Sequence, residues 1–543
     1  MSKEDYQKTA HATLPSFHFR TGNEPILPYT RAPKNPANTW GYPQPGVQSP
    51  TPAFATAKHY FVDESTWDAI LDHGEFDDVV CGSGFCALAY IDEALKINPH
   101  RKILLLERGA WCPRAPRELM RGFPESMLAT MEKPDFWKKC ETLLHVTAAD
   151  QISDPVFNTA LQKDIVKRLN DGIANQEIPT ADRAISAPLA VGQTTSLSTI
   201  AFNKFSTPGP LLHIYEKQRK LYQQGRGSPL MIATDCVVER FDVDPEDEKH
   251  GANVLHTSRG ALCFPNSRTN IILATGAIPM TTILFNSLGK DLQGRAGSRL
   301  SGHYISHIAA RFPILADSDK DGFADHLEIA ASYLEGKDPK TGHQYHIQIT
   351  AIHSPHPETD AEDAGRLCPD YAAAASADQL EGSERYVVLI CATLGELDEH
   401  NQHSWVKFNE NDPNKTTNIR LQVSLSEKDD QLRTIMDKAG YDAIKVMAGD
   451  SAAGIQYWHD GSPKGSWKDE RPAESAIRVP GVVHETSTLY MSDDLEKDKT
   501  ASVDSNYRPK GCSNVYVTGG ALFPSSGSWN RFGAEAGKTS KSH

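Results

Sequence analysis

A chain of 543 residues, 39% hydrophobic and 23% charged, has room for two or three domains and for burying a large cofactor. Its formal charge of −14 argues against nucleic acid or an anionic membrane as partner, because an acidic surface repels phosphate. No run approaches the roughly 20 apolar residues of a membrane helix. Residues 1–17 lack the apolar core of a signal peptide, and the nine cysteines include no CxxC pair, so a cytoplasmic protein with reduced thiols is expected.

In chain order, residues 1–57 are rich in Pro, Thr, Asn and Gly without apolar periodicity, and they predict an extended arm. The texture changes at Phe76. Phe76 to Cys81 predicts a short buried strand, Gly82-Ser83-Gly84 a tight turn, and Phe85 to Ile97 a helix ended by Asn98-Pro99. Lys102 to Glu107 is a second apolar run of the kind buried on both faces of a parallel sheet. Together they form a βαβ unit. Residues 113 to 190 read as mixed helix and loop. A helix over 210–224 and a strand over 230–234 follow, then a strand-rich stretch to Leu262 and the run Asn270 to Gly276. Around 343–350, 386–393 and 419–426 the residues alternate, which predicts an antiparallel sheet with one wet face. Residues 428–448 predict an amphipathic helix. Asn514 to Gly520 is again strand followed by glycine.

Gly82-x-Gly84-x-x-Ala87 matches the dinucleotide-binding fingerprint with alanine in third place. Gly82 permits the turn, Gly84 lets the backbone approach a pyrophosphate, and Ala87 lets the helix pack closely on the strand. The first helical N–H groups, with the positive end of the helix dipole behind them, then face the phosphates. Glu107 ends the second strand 25 positions after Gly82 (107 − 82), where a carboxylate accepts from ribose hydroxyls and disfavours a 2′-phosphate. The competing reading of this pattern is a tight turn in an unrelated α/β protein. The flanking apolar strands and the terminal acid weigh against it.

Four further segments, the last two in one C-terminal run, resemble the glucose–methanol–choline (GMC) oxidoreductases. Leu104 to Gly109 is similar to the L-x-E-x-G that closes their FAD unit, and Ala274 to Leu284 to their second signature. His484-Glu-Thr-Ser487-Thr-Leu-Tyr-Met491 resembles H-x-x-G-T-x-x-M, with Ser487 for glycine. Asn514 to Asn530 is similar to the closing N-L-Y-V-x-D-x-S-x-F-P…N. The inserted antiparallel region resembles that of a pyranose-oxidase-like branch. The resemblance spans Phe76 to Asn530 and implies an α/β fold: a Rossmann-type FAD-binding domain with an inserted α+β substrate domain built on an antiparallel sheet. The implied division gives the arm (1–57), the FAD domain in three parts (58–112, 210–310 and 480–543), a mixed helical and loop region (113–209) and the substrate domain (311–479).

The resemblance also implies roles. His484 is the expected catalytic base and Asn530 its partner. A neutral imidazole takes a hydroxyl proton near pH 7, and an amide holds the substrate oxygen without titrating. Gly82, Gly84, Ala87, Glu107, Val237, Gly276, Gly519 and Gly520 are the expected cofactor contacts, with Val237 at the adenine. No histidine stands in a covalent-flavin context, so FAD is expected to be non-covalent. No metal is expected: His303 and His307, spaced i,i+4, read as structural, as do His353 and His356. The sequence departs from the pattern after Gly109, where a G-G-x-S-x-x-W-type loop is missing. It departs again at Gly519, an aspartate in the family, and after Asn530, where the tail is short and polar.

The expected function is FAD-dependent oxidation of an alcohol group on a small-molecule metabolite, by analogy in a biosynthetic pathway, with O2 or another acceptor re-oxidising the flavin. The departures keep a second reading open, a GMC-like protein with a degenerate flavin site that serves as a binding or structural partner. An NAD-dependent dehydrogenase would leave His484 and Asn530 unexplained.

Overall fold

A computed structural model of the chain describes residues 61–62, 64–107, 123–152, 154–157, 159–190, 205, 207–244, 250–264, 268–292, 294–314, 323–368, 371–461 and 464–527. The arm 1–57, the segment after Glu107 and Asn530 lie outside the described residues.

Five strands form a parallel sheet in the order Val515–Val517, Asn270–Leu273, Asp78–Cys81, Ile103–Leu106 and Leu230–Ala233. The apolar runs predicted from sequence are these strands, shortened at their ends to the residues that pair. Alternation sends their side chains into two cores. Val79, Cys81, Leu104, Leu106, Ile271, Leu273, Val515 and Val517 pack with the helix Ala277–Leu288. Val80, Ile103, Leu105, Ile232 and Ile272 pack with Ala87, Leu88, Ile91 and Leu95 of the helix Phe85–Ile97. Fully burying each such side chain is worth about 1.5–3 kcal/mol, which explains runs without a polar face.

The strands are also in step. Cys81 is level with Leu106 on one side and Leu273 on the other, Leu273 with Val517, and Leu106 with Ala233. The carboxyl ends of all five therefore share one edge, the edge at which open α/β sheets bind ligands. At the opposite end of the central strand, Asp78 is fully buried. Its carboxylate accepts from Tyr90 at 2.9 Å, from Asn270 at 3.1 Å and from two nitrogens of Arg101. A buried acid so surrounded holds the strand to its helix.

A second, eight-stranded sheet is antiparallel in its pairings. Ser301–Pro313, Tyr386–Glu396, Gln344–His353 and Glu328–Lys337 are its long strands, and Arg478–Thr486 pairs with Ser301–Pro313. One face carries the helices Ala160–Ala174 and Glu427–Ala448. The second of these opens with a capping box between Ser426 and Asp429. The stretch 113–209, expected as helix and loop, supplies an edge strand to this sheet, Ala181–Ser186. Its sequence Ala-Asp-Arg-Ala-Ile-Ser has no bulky alternation to announce it. No helix of the described residues is long and apolar enough to cross a membrane.

Candidate active site

The expected cofactor residues are gathered by the parallel sheet. Gly82 follows the central strand at φ +95°, and a Cβ there would lie 2.6 Å from the Ala274 carbonyl oxygen, so only glycine fits. Gly84 caps the helix Phe85–Ile97, and nothing lies within 4 Å of where its Cβ would be. Among the described residues no side chain caps that helix, and its first turn carries no acid. Ala87 is fully buried against the strands, as a close helix–strand contact requires. Glu107 follows the second strand, and its Oε2 accepts the backbone N–H of Ser83 at 2.8 Å. Gly276, at φ +87°, opens the helix Ala277–Leu288.

Gly82, Leu106, Val237, Thr275, Pro279, Ile283 and Thr416 line one cleft at this edge. The Thr275 hydroxyl is buried there with no hydrogen-bond partner among the described residues. A glycine turn, a helix amino end opened by glycine with no acid in its first turn, a carboxylate at ribose spacing and an unmatched hydroxyl fit a dinucleotide. Val237 fits it less simply. Its N–H donates to Ser258 Oγ at 3.0 Å and its carbonyl accepts from Ser258 N–H at 2.8 Å, so both backbone groups are already engaged.

Gly519 and Gly520 join this edge to the histidine segment. A Cβ on Gly519, which lies at φ +72°, would stand 3.2 Å from Cys86 Sγ in the first turn of the helix Phe85–Ile97. The Gly520 carbonyl accepts from Ser487 N–H at 3.1 Å, and a Cβ on Gly520 would stand 3.1 Å from Thr486. Two successive glycines thus touch both the helix that opens at Gly84 and the motif that begins at His484.

His484 sits on a bulge. Ser301 pairs with Thr486 and His303 with Val483, so three steps on one strand oppose two on the other. His484 lies within this shift at φ +59° and is exposed. A bulge re-aims a side chain that regular pairing would point elsewhere. Ser487, three residues on, is also left-handed at φ +68°, which gives a physical reason for glycine at that place in the family motif.

The turned imidazole meets His303. The two Nδ1 atoms are 2.9 Å apart, and His303 Nε2 lies 2.6 Å from the Gly527 carbonyl oxygen. Gly527 is itself held, its N–H donating to the buried Glu396 at 3.1 Å. His346 packs edge-on to His303 with ring centroids 6.2 Å apart. Burial first, and His484 second, push His303 down to about 3 against the opposing pull of the Gly527 carbonyl. Burial likewise holds His346 well below the usual histidine range. Both are neutral near pH 7.

His303 is the residue that sequence reasoning missed. Its i,i+4 spacing to His307 suggested a comparison with metal sites, whereas its partner is 181 residues away in sequence. His353 lies instead against Glu328 at 3.2 Å. Among the described residues, His343, Asp398 and Glu399 bring possible metal-ligand atoms within 4.8 Å of one another. Lys428, 3.4 Å from Asp398, already supplies countercharge there.

A glycine-lined edge on a parallel sheet is thus joined by two glycines to a histidine segment on an antiparallel one. Residues 401–532 match the family model described as GMC oxidoreductase. Among solved structures the chain is similar to pyridoxine 4-oxidase from Mesorbium loti. That similarity covers 84% of this chain and 96% of that one, at 14% identity and a TM-score of 0.48. No curated protein matches the chain.

Proposed function

We propose that this chain is an FAD-dependent oxidoreductase that oxidises an alcohol-type group of a small-molecule metabolite, with O2 or another acceptor taking the electrons. The observation that carries this reading is the Gly519-Gly520 bridge, which abuts the nucleotide helix at Cys86 and the histidine motif at Thr486. Gly82, Gly84 and the first turn after it would hold the pyrophosphate, Glu107 the ribose, and Gly276 and Gly519 the neighbouring backbone approach. Bound flavin supplies the two-electron acceptor. His484 takes the proton from the hydroxyl oxygen, and Asn530 is assigned the second polar contact to that oxygen.

Binding is non-covalent in this reading. Protein purified with its cofactor should be yellow at close to one flavin per chain, and acid precipitation should leave the yellow colour in the supernatant. A colourless protein that stays colourless after incubation with FAD would overturn the reading. That outcome would favour the second one, a GMC-like scaffold without flavin. The engagement of both Val237 backbone groups by Ser258 is the observation on its side.

A further inference from the structure

We propose that His303 is a positioning residue that sets the tautomer of His484, fixing its proton on Nδ1 and its lone pair on Nε2. The inference rests on the reading of His484 as a base, and it follows from one carbonyl. The Gly527 oxygen can only accept, and at 2.6 Å it requires a proton on His303 Nε2. The opposite tautomer would set a nitrogen lone pair against oxygen lone pairs. Because His303 is 4% exposed, a second proton would place an imidazolium in the interior. Its Nδ1 therefore carries a lone pair. The facing Nδ1 of His484 at 2.9 Å must then be the donor. Neutral histidine has one N–H, so His484 is left with its lone pair on Nε2, the nitrogen a general base needs.

The chain of bonds has a fixed direction, and the fold fixes it. Gly527 is clamped by Glu396 through its N–H, and the neighbouring Ser526 Oγ donates to the Gly302 carbonyl at 2.9 Å. His346, edge-on to His303, is also buried and adds no charge that would reverse the order. A carbonyl cannot accept a transferred proton, so a proton taken at His484 Nε2 stays on His484. His303 positions; it does not relay.

The test reads nitrogen protonation directly, by two-bond 1H–15N correlation spectra of the full chain labelled at histidine, assigned with His303→Asn and His484→Asn. The wild-type spectrum should show His303 protonated at Nε2 and His484 at Nδ1. His303→Asn keeps an oxygen near the Nδ1 place and should keep the His484 tautomer. His303→Gln puts its amide near the Nε2 place, keeps the bond to Gly527, and should move the His484 proton to Nε2. A merely structural role would not separate the two variants in this way. A wild-type His484 protonated at Nε2 overturns the proposal, as does a His303→Gln variant that leaves His484 at Nδ1. If a variant fails to fold, the wild-type spectrum still decides. Finding these tautomers in a protein that never binds flavin would sink the proposed function and leave the assignment to His303 standing.

Discussion

The Glu107 carboxylate and the Ser83 backbone N–H are joined across 2.8 Å, tying the end of the second strand to the turn after the first. Glu107 thus serves the fold before it serves a nucleotide. Glu107→Gln keeps an acceptor for Ser83 but loses the charge that two ribose hydroxyls would share. Hydrogen bonds to charged groups are worth about 1.5–3 kcal/mol. Glu107→Gln should therefore weaken FAD binding by roughly 10- to 100-fold with little change in the urea midpoint, and Glu107→Ala should lower both. Flavin fluorescence titration and urea unfolding check this, and unchanged flavin affinity in both variants contradicts it.

Asp78 is the corresponding anchor at the other end of the central strand. Asp78 has no exposure, and its removal leaves the half-buried Arg101 guanidinium and Tyr90 hydroxyl without their shared partner. Asp78→Ala should lower the unfolding free energy by about 1.5–3 kcal/mol. A loss below about 1 kcal/mol in urea unfolding would show that Asp78 is not an anchor.

The parallel sheet was legible in the sequence because its strands are buried on both faces and bounded by glycine, so that Val79-Val80-Cys81 and Ile103 to Leu106 carry no competing pattern. The edge strand Ala181–Ser186 was not legible, since its small and polar residues announce neither face. That Gly82, Gly84 and Glu107 meet at one edge of this sheet could be read from their spacing. The pairing of His303 with His484 could not. It depends on a register shift between strands 181 residues apart, at a position where a non-glycine residue turns left-handed. Local spacing carries no trace of that.

Ser487 marks another legible departure. An L-residue in the left-handed region costs roughly 1–2 kcal/mol relative to glycine, and Ser487 recovers little through its 3.3 Å hydroxyl contact with Thr486. Ser487→Gly should raise stability by about 0.5–1 kcal/mol. Urea unfolding midpoints provide the check, and a destabilised variant would mean that the hydroxyl contact matters more than the backbone.

Buried neutral histidines give stability a pH dependence. His303, held down to about 3, and His346, also lowered by burial, stay neutral in the folded chain while their unfolded counterparts protonate near 6.5. The unfolded state therefore binds more protons below pH 6.5, and stability falls as pH falls. Between pH 7 and 5.5 each should cost about 1 kcal/mol. Asp429 and Asp437, raised by burial, act in the opposite sense at lower pH, which is why the window stops at 5.5. A urea midpoint that is flat or rising on acidification through this range contradicts neutral burial of the pair.

The central claim is that His484 acts as the base for alcohol oxidation at a bound flavin. The direct measurement is anaerobic mixing of the flavin-loaded protein with a panel of primary and secondary alcohols, followed at the flavin absorbance band. At least one alcohol should bleach the wild-type chain. His484→Ala should keep its flavin and bleach about 100-fold more slowly or worse, the usual cost of losing a general base. If no alcohol bleaches the wild type, or both proteins bleach at the same rate, the account is contradicted.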